Sequence, residues 1–198
     1  MSGVVLSIVI GYLLGSCPFG YWAGCLRGVD LRKEGSGNTG GTNAVRVLGP
    51  AMGVPVIMLD VLKGTAAVLI AAQLGGVGAE ALAGAAAVVG HTFPVFLRFR
   101  GGKAVATGAG AMLGLAPGIS LIVVILWIVL GLITRYVSVA SMLSAVAFVL
   151  LAIFTDQPWP IVVFTLFGAG LVFWRHRSNI AALRSGTERR LNLRGVRS

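Results

Sequence analysis

The chain has 198 residues, 57% hydrophobic and only 11% charged, with mean hydropathy +0.92. Soluble domains hold about 45–50% apolar residues, so this composition excludes an ordinary soluble fold and describes a membrane-embedded chain with little room for a separate soluble domain. A net charge of +10 would suit nucleic acid. Cytoplasmic membrane loops collect Lys and Arg as well, so anionic headgroups or anionic substrates are the expected partners and nucleic acid is not.

The first apolar span covers 4–26. Gly11-x-x-x-Gly15 and Gly20-x-x-x-Gly24 predict close approach of another helix, with a kink at Pro18. Residues 1–24 do not read as a cleavable signal, because no basic residue precedes the apolar run and no small-residue cleavage site follows it. Cys17 and Cys25 would lie roughly 12 Å apart on one helix at about 1.5 Å per residue. That is beyond the about 7 Å a disulfide allows, so both are expected to be buried small residues.

The longest polar run follows, Arg32-Lys33-Glu34-Gly35-Ser36-Gly37-Asn38-Thr39-Gly40-Gly41-Thr42-Asn43-Ala44-Val45-Arg46. Four glycines free the backbone. Ser36, Asn38, Thr39, Thr42 and Asn43 bring small polar side chains, and Arg46 brings a forked cation. Together these groups predict an anion cradle suited to phosphate. The competing reading is a flexible interhelical linker.

A second span, 47–74, carries Asp60 and Lys63 on one helix face. Charges inside a span suggest function, or else a structural ion pair tying helices together. The third span is 80–97, with His91 near its end. Arg98-Phe99-Arg100-Gly101-Gly102-Lys103 then forms a second glycine-rich basic turn before a helix start, where backbone amides and the helix dipole would attract phosphate. It shares glycine and lysine with a P-loop, but Gly-x-x-x-x-Gly-Lys-Ser/Thr is absent. Anion binding without nucleotide hydrolysis is therefore expected, against the alternative of a basic interface anchor. The stretch 104–133 is broken by Pro117-Gly118 and crosses either once or twice, its first half being short for a crossing. Spans 139–154 and 159–174 complete the set.

Charge decides the ambiguous stretch. If 104–133 crosses twice, segments 27–48, 98–103, 134–138 and 175–198 share one side and hold 15 of the 16 Lys and Arg. The positive-inside rule then predicts an all-α integral membrane protein with seven transmembrane helices, N-terminus outside and C-terminus cytoplasmic. Residues 1–198 read as a single membrane-embedded domain, and both polar loops and the basic tail meet at one cytoplasmic face.

In the tail, His176 and Asn179 share a helix face, and His176 could shuttle a proton or donate to phosphate. No Ser or Cys has an adjacent base, and Gly-x-Ser-x-Gly is absent. The His-x-x-x-x-Asp signature of thioester-dependent lysophospholipid acyltransferases is also absent. With two His and no Cys/His cluster, no metal site is expected.

Three cytoplasmic stretches, Gly35-Ser36-Gly37-Asn38-x-Gly40-x-Thr42-Asn43-x-x-Arg46, Phe99-x-Gly101-Gly102-Lys103-x-Val105-Ala106-Thr107 and His176-x-x-Asn179-Ile180-x-x-Leu183-x-x-Gly186-x-Glu188, resemble the bacterial acyl-phosphate:glycerol-3-phosphate acyltransferases. Gly15-Ser16-x-Pro18-x-Gly20, Asp60-x-x-Lys63-Gly64 and Gly90-His91-x-Phe93-Pro94 fit as well. The departures are Gly41, where the family usually has Ala, Ala104, where it has Gly, and Ala182, where Arg is common. The resemblance implies transfer of a fatty acyl group from acyl phosphate to the 1-hydroxyl of glycerol 3-phosphate at the inner membrane, without cofactor, giving lysophosphatidic acid and phosphate as the first step of phospholipid synthesis.

By the same resemblance, Ser36, Arg46, Lys103, His176 and Asn179 would be catalytic. Ser36, Asn38, Thr42, Asn43, Arg46, Lys103 and His176 would hold glycerol 3-phosphate. Gly40, Gly101, Gly102, Lys103, Ala104, Val105, Ala106, Thr107 and Asn179 would hold acyl phosphate. Asp60, Lys63 and Glu188 would be structural. Membrane lipid is the surrounding partner, and a monomer is expected.

Two other readings compete. A transporter of phosphorylated metabolites would share the glycines and the intramembrane charges, but no internal repeat is visible. A scaffold with a lipid-binding basic tail would leave both glycine loops unexplained.

Overall fold

The structure, a computed structural model, describes residues 2–191, and all regular structure among them is helical. The first span runs from Ser2 to Cys25 and is interrupted at Cys17-Pro18, where the sequence places the kink. Helix α1 (Ser2–Ser16) stops and α2 (Phe19–Cys25) restarts beyond Cys17-Pro18, because proline lacks an N–H and its ring clashes with the turn before it. Gly11 and Gly15 take the expected helix contact. A Cβ on either would come within 2.4 or 2.1 Å of the Ala83 or Ala87 carbonyl oxygen on α5 (Val77–Thr92). Gly20 meets a helix at Val56 of Pro50–Ala72, 3.5 Å from where a Cβ would stand, whereas the atoms nearest to Gly24 belong to no helix. The two glycines face the carbonyls of Thr39 and Val29, which seats α2 directly on the first polar loop. The two cysteines also differ from expectation: Cys17 is half-buried and Cys25 is exposed.

The polar stretch is only partly a loop. From Gly41 it winds into amphipathic α3 (Gly41–Leu48). Ala44, Val47 and Leu48 pack toward Leu31, Val56 and Met52, which leaves Thr42 and Arg46 on the exposed face. Pro50 opens α4 (Pro50–Ala72) at its first turn, where no N–H is needed. After α5, a 3-10 turn (Val95–Leu97) leads into α6 (Val105–Leu115). As the Pro117 break predicts, α7 (Pro117–Thr134) is separate. Helices α8 (Val137–Phe154) and α9 (Trp159–Arg175) follow, and α10 (Arg177–Arg184) departs from α9 at 54°.

Helix α5 packs against α1, α4, α6 and α9, while α7 packs on α8 and α8 on α9. Val68, Val88, Met112, Val123, Ile161 and Phe164 close the centre. Leu121, Ile122, Ile125, Leu132 and Ile133 of α7 are exposed. So much continuous apolar surface suits lipid rather than water. Among the described residues, five helical segments are long and apolar enough to cross a membrane, or six if α9 and α10 count as one bent span. The expected count of seven would need α6, an apolar helix of 11 residues.

Candidate active site

The first loop folds around one side chain. Asn43, 2% exposed, accepts the Ser36 N–H at 2.9 Å through Oδ1. Its Nδ2 donates to the carbonyls of Glu34 at 3.0 Å and Asn38 at 2.9 Å, with Leu31 at 3.3 Å. Asn38 Oδ1 accepts the Gly40 N–H at 2.7 Å. Gly35 and Gly37 adopt φ of +61° and +70° to make the turns, a region open to glycine at no steric cost. The amide of Asn43 is thus occupied by the loop, although a direct contact with glycerol 3-phosphate was expected of it. Ser36, Thr42 and Arg46 remain exposed.

The second loop is built differently. The Gly101 N–H donates to the Thr92 carbonyl at 3.1 Å and the Gly102 N–H to the His91 carbonyl at 3.0 Å. Arg175 donates to both glycine carbonyls, at 3.0 and 3.2 Å. These two amides face α5, so they are not the anion cradle the sequence suggests. Ala104 caps α6 in the left-handed region at φ +58°. Beyond it the first-turn amides of α6 have no intrahelical acceptor and carry the positive end of the helix dipole.

The tail supplies a third group. His176, 3% exposed, lies 2.7 Å through Nδ1 from the Val172 carbonyl. A carbonyl only accepts, so Nδ1 carries the proton and Nε2 is left with a lone pair. Burial first, then the Lys103 charge, pulls the imidazole down to about 4, so it is neutral at physiological pH. Lys103 Nζ donates to Asn179 Oδ1. Asn179 Nδ2 donates to Glu188 Oε1 at 2.7 Å, and the Ser138 hydroxyl donates to the same oxygen at 2.7 Å. Burial lowers the pKa of Lys103, with Glu188 opposing and the Arg175 and Arg46 charges reinforcing.

One cavity of about 800 Å³ joins these groups. Ser36, Asn38, Gly40, Thr42, Asn43, Arg46, Gly101, Lys103, Ala104, Val105, Ala106, His176, Asn179 and Glu188 all line it, and so does Asp60. Gly102, Thr107 and Lys63 do not. Gly102 is pressed against His91, and the Thr107 backbone against Gly64. Residues of the opening turns of α3, α6 and α10 line the same space; α10 begins where α9 ends, so the helix N-termini not offset by an adjoining C-terminus are those of α3 and α6. Val124, Trp127, Phe148 and Phe164 form apolar walls further in.

Sequence reasoning missed Arg175, Ser138 and the contact of His91 with Asp60. Arg175 adjoins His176, but nothing in its spacing points to the glycine carbonyls. Among the described residues no three His, Cys, Asp or Glu converge to hold a metal ion.

A cationic mouth opening onto an apolar chamber between long apolar helices defines an integral membrane protein with room for a charged group and an apolar tail side by side. Comparison with known proteins makes this specific. Residues 5–186 match the family model for glycerol-3-phosphate acyltransferase. The glycerol-3-phosphate acyltransferase of Rubrobacter xylanophilus is 48% identical, with 94% of each chain covered. That of Geobacillus kaustophilus is 44% identical, with 98% of each covered. The fold superposes on PlsY (YgiH), an integral membrane glycerol 3-phosphate acyltransferase, in its glycerol 3-phosphate form, with TM-score 0.92, 38% identity and 96% of each chain covered. It also matches the lysophosphatidic acid form of PlsY, with TM-score 0.90 and 37% identity. The chain belongs to the glycerol-3-phosphate acyltransferase family: it is a membrane-embedded acyltransferase of phospholipid synthesis.

Proposed function

We propose that the donor is a fatty acyl phosphate and that transfer to the 1-hydroxyl of glycerol 3-phosphate is direct. The reading rests on one observation above all: a single cavity combines an anion-binding mouth with apolar walls. Both substrates are anions. At an effective dielectric near 20, each pair of unit charges about 5 Å apart repels by about 3 kcal/mol. Arg46, Lys103 and the N-termini of α3 and α6 offset that repulsion before the reaction begins.

Glycerol 3-phosphate sits at Ser36, Asn38, Thr42 and Arg46, with Asn43 shaping the loop. The acyl phosphate headgroup meets Lys103, held by Asn179, and the α6 amides at Val105 and Ala106. Its chain lies along Val124, Trp127 and Phe148. The hydroxyl oxygen attacks the acyl carbonyl carbon, the carbon–oxygen bond to phosphate breaks, and inorganic phosphate leaves. A mixed anhydride already carries a good leaving group, so positioning and charge stabilisation suffice. The hydroxyl proton passes to a substrate phosphate, which titrates near 6 and is a stronger base than an imidazole lowered to about 4. His176 Nε2 accepts a hydrogen bond and orients the hydroxyl. Glu188 holds Asn179 and Ser138 together.

The chain acts as one membrane-embedded domain and as a monomer. It crosses the inner membrane seven times, with α6 as a short crossing, the N-terminus outside, and the site and C-terminus cytoplasmic. Purified protein given glycerol 3-phosphate and palmitoyl phosphate should release lysophosphatidic acid and phosphate in equal amounts. Product formed from palmitoyl-coenzyme A but not from palmitoyl phosphate would contradict the donor assignment.

A further inference from the structure

The charges buried within the spans have no part in the transfer described above. Asp60 and Lys63 of α4 are 2% and 5% exposed, with Lys63 Nζ 2.7 Å from Asp60 Oδ1. Both belong to one helix, so this pair alone ties no helices together. The links that leave α4 are different. Lys63 Nζ donates to the Cys17 carbonyl at the α1–α2 break at 2.9 Å, and His91 Nδ1 of α5 lies 3.4 Å from the same Asp60 oxygen.

His91 then touches the second loop twice. Its carbonyl accepts the Gly102 N–H. Its Nε2 lies only 2.1 Å from where a Cβ on Gly102 would stand, so the ring and the loop backbone are in direct contact. The next residue is Lys103. Asp60 and His91 also line the substrate cavity. A buried carboxylate is costly unless it is paired and hydrogen-bonded, and Lys63 and His91 together supply that pairing.

We propose that Asp60 and His91, with Lys63 holding Asp60, are positioning residues for acyl transfer. Asp60 fixes the His91 ring, the ring sets the height of the Gly101–Gly102 backbone, and that backbone places the Lys103 ammonium against the donor phosphate. This rests on the assignment of Lys103 to acyl phosphate.

The test uses the purified full chain, with kinetics toward both substrates and a melting temperature for each variant. His91→Leu is expected to lower kcat/KM for acyl phosphate about 10-fold or more, as a misplaced binding group does, while the KM for glycerol 3-phosphate changes by less than about threefold. His91→Gln carries its amide to near the Nε2 position against Gly102 and should recover to within about fivefold of the parent chain. In a Lys103→Met background, His91→Leu should add less than about twofold, since residues acting as one unit are non-additive. If the leucine variant is not recovered, His91→Asn, which is too short to reach Gly102, replaces it and should fall about fivefold or more below His91→Gln. Equal losses in the glutamine and leucine (or asparagine) variants, additive losses with Lys103→Met, or losses that merely follow the melting temperature would overturn the proposal. Failure of the parent chain to use acyl phosphate would instead strike the donor assignment itself.

Discussion

The two glycine-rich loops look alike in sequence and work by different physics. In the first, glycine supplies conformation: Gly35 and Gly37 have positive φ, and the loop closes on its own Asn43. In the second, glycine supplies proximity. Gly101 and Gly102 do not need positive φ, yet a Cβ on either would come within 2.1 Å of the His91 carbonyl or ring. The left-handed residues there are Arg98, Phe99 and Ala104. The first loop is a self-contained turn that presents hydroxyls and a guanidinium. The second is strapped to α5 and Arg175, and presents one ammonium and a helix N-terminus.

This contrast can be broken at several points. Lys103→Met removes the one cation of the second loop that lines the cavity and should lower kcat/KM by about 100-fold or more, read from phosphate release. A loss under about 10-fold would mean that the α6 amides alone hold the donor. Gly102→Ala drives a methyl into His91 and should cost about 10- to 100-fold in activity through misplacement of Lys103, whereas Gly37→Ala strains a φ of +70° and should cost stability, about 1 kcal/mol, more than turnover.

His176 gives a pH signature. Its pKa is depressed by folding from 6.5 to about 4, so its contribution is complete above about pH 6.5 and is lost as pH falls toward 4, on the order of 3 kcal/mol in full. Melting curves of the parent chain should therefore decline over that interval more steeply than those of His176→Gln, and parallel curves would contradict the burial argument. Asn43→Ala removes the pivot of the first loop and should destabilise by about 2 kcal/mol through unsatisfied backbone groups, raising the KM for glycerol 3-phosphate while sparing that for acyl phosphate. Smallest is Ala104→Gly. It relieves an alanine at φ +58° and should raise the melting temperature by the equivalent of about 1 kcal/mol with activity retained.

Much of this was legible beforehand. Apolar periodicity and Pro117 located most helices, because a bilayer demands long apolar runs and proline interrupts them. The site residues were legible where polar side chains stand out in an apolar chain. The destination of each backbone amide was not. Gly101 and Gly102 read as a phosphate cradle because nothing in their own sequence reveals that Thr92, His91 and Arg175 occupy their hydrogen-bonding groups. Helix α3 was hidden because Gly41 and Asn43 are poor helix formers, and tertiary packing of Ala44 and Val47 overrides that weakness. Arg175 and the His91–Asp60 contact depend on which spans are neighbours, information that local spacing does not carry.

The central claim is that both anions occupy one cavity together and react without an acylated protein. Initial rates measured across a grid of acyl phosphate and glycerol 3-phosphate concentrations test it most directly. The account predicts intersecting double-reciprocal lines and no phosphate release until glycerol 3-phosphate is added. Parallel lines, with a burst of phosphate and an acyl group retained on the protein, would contradict it.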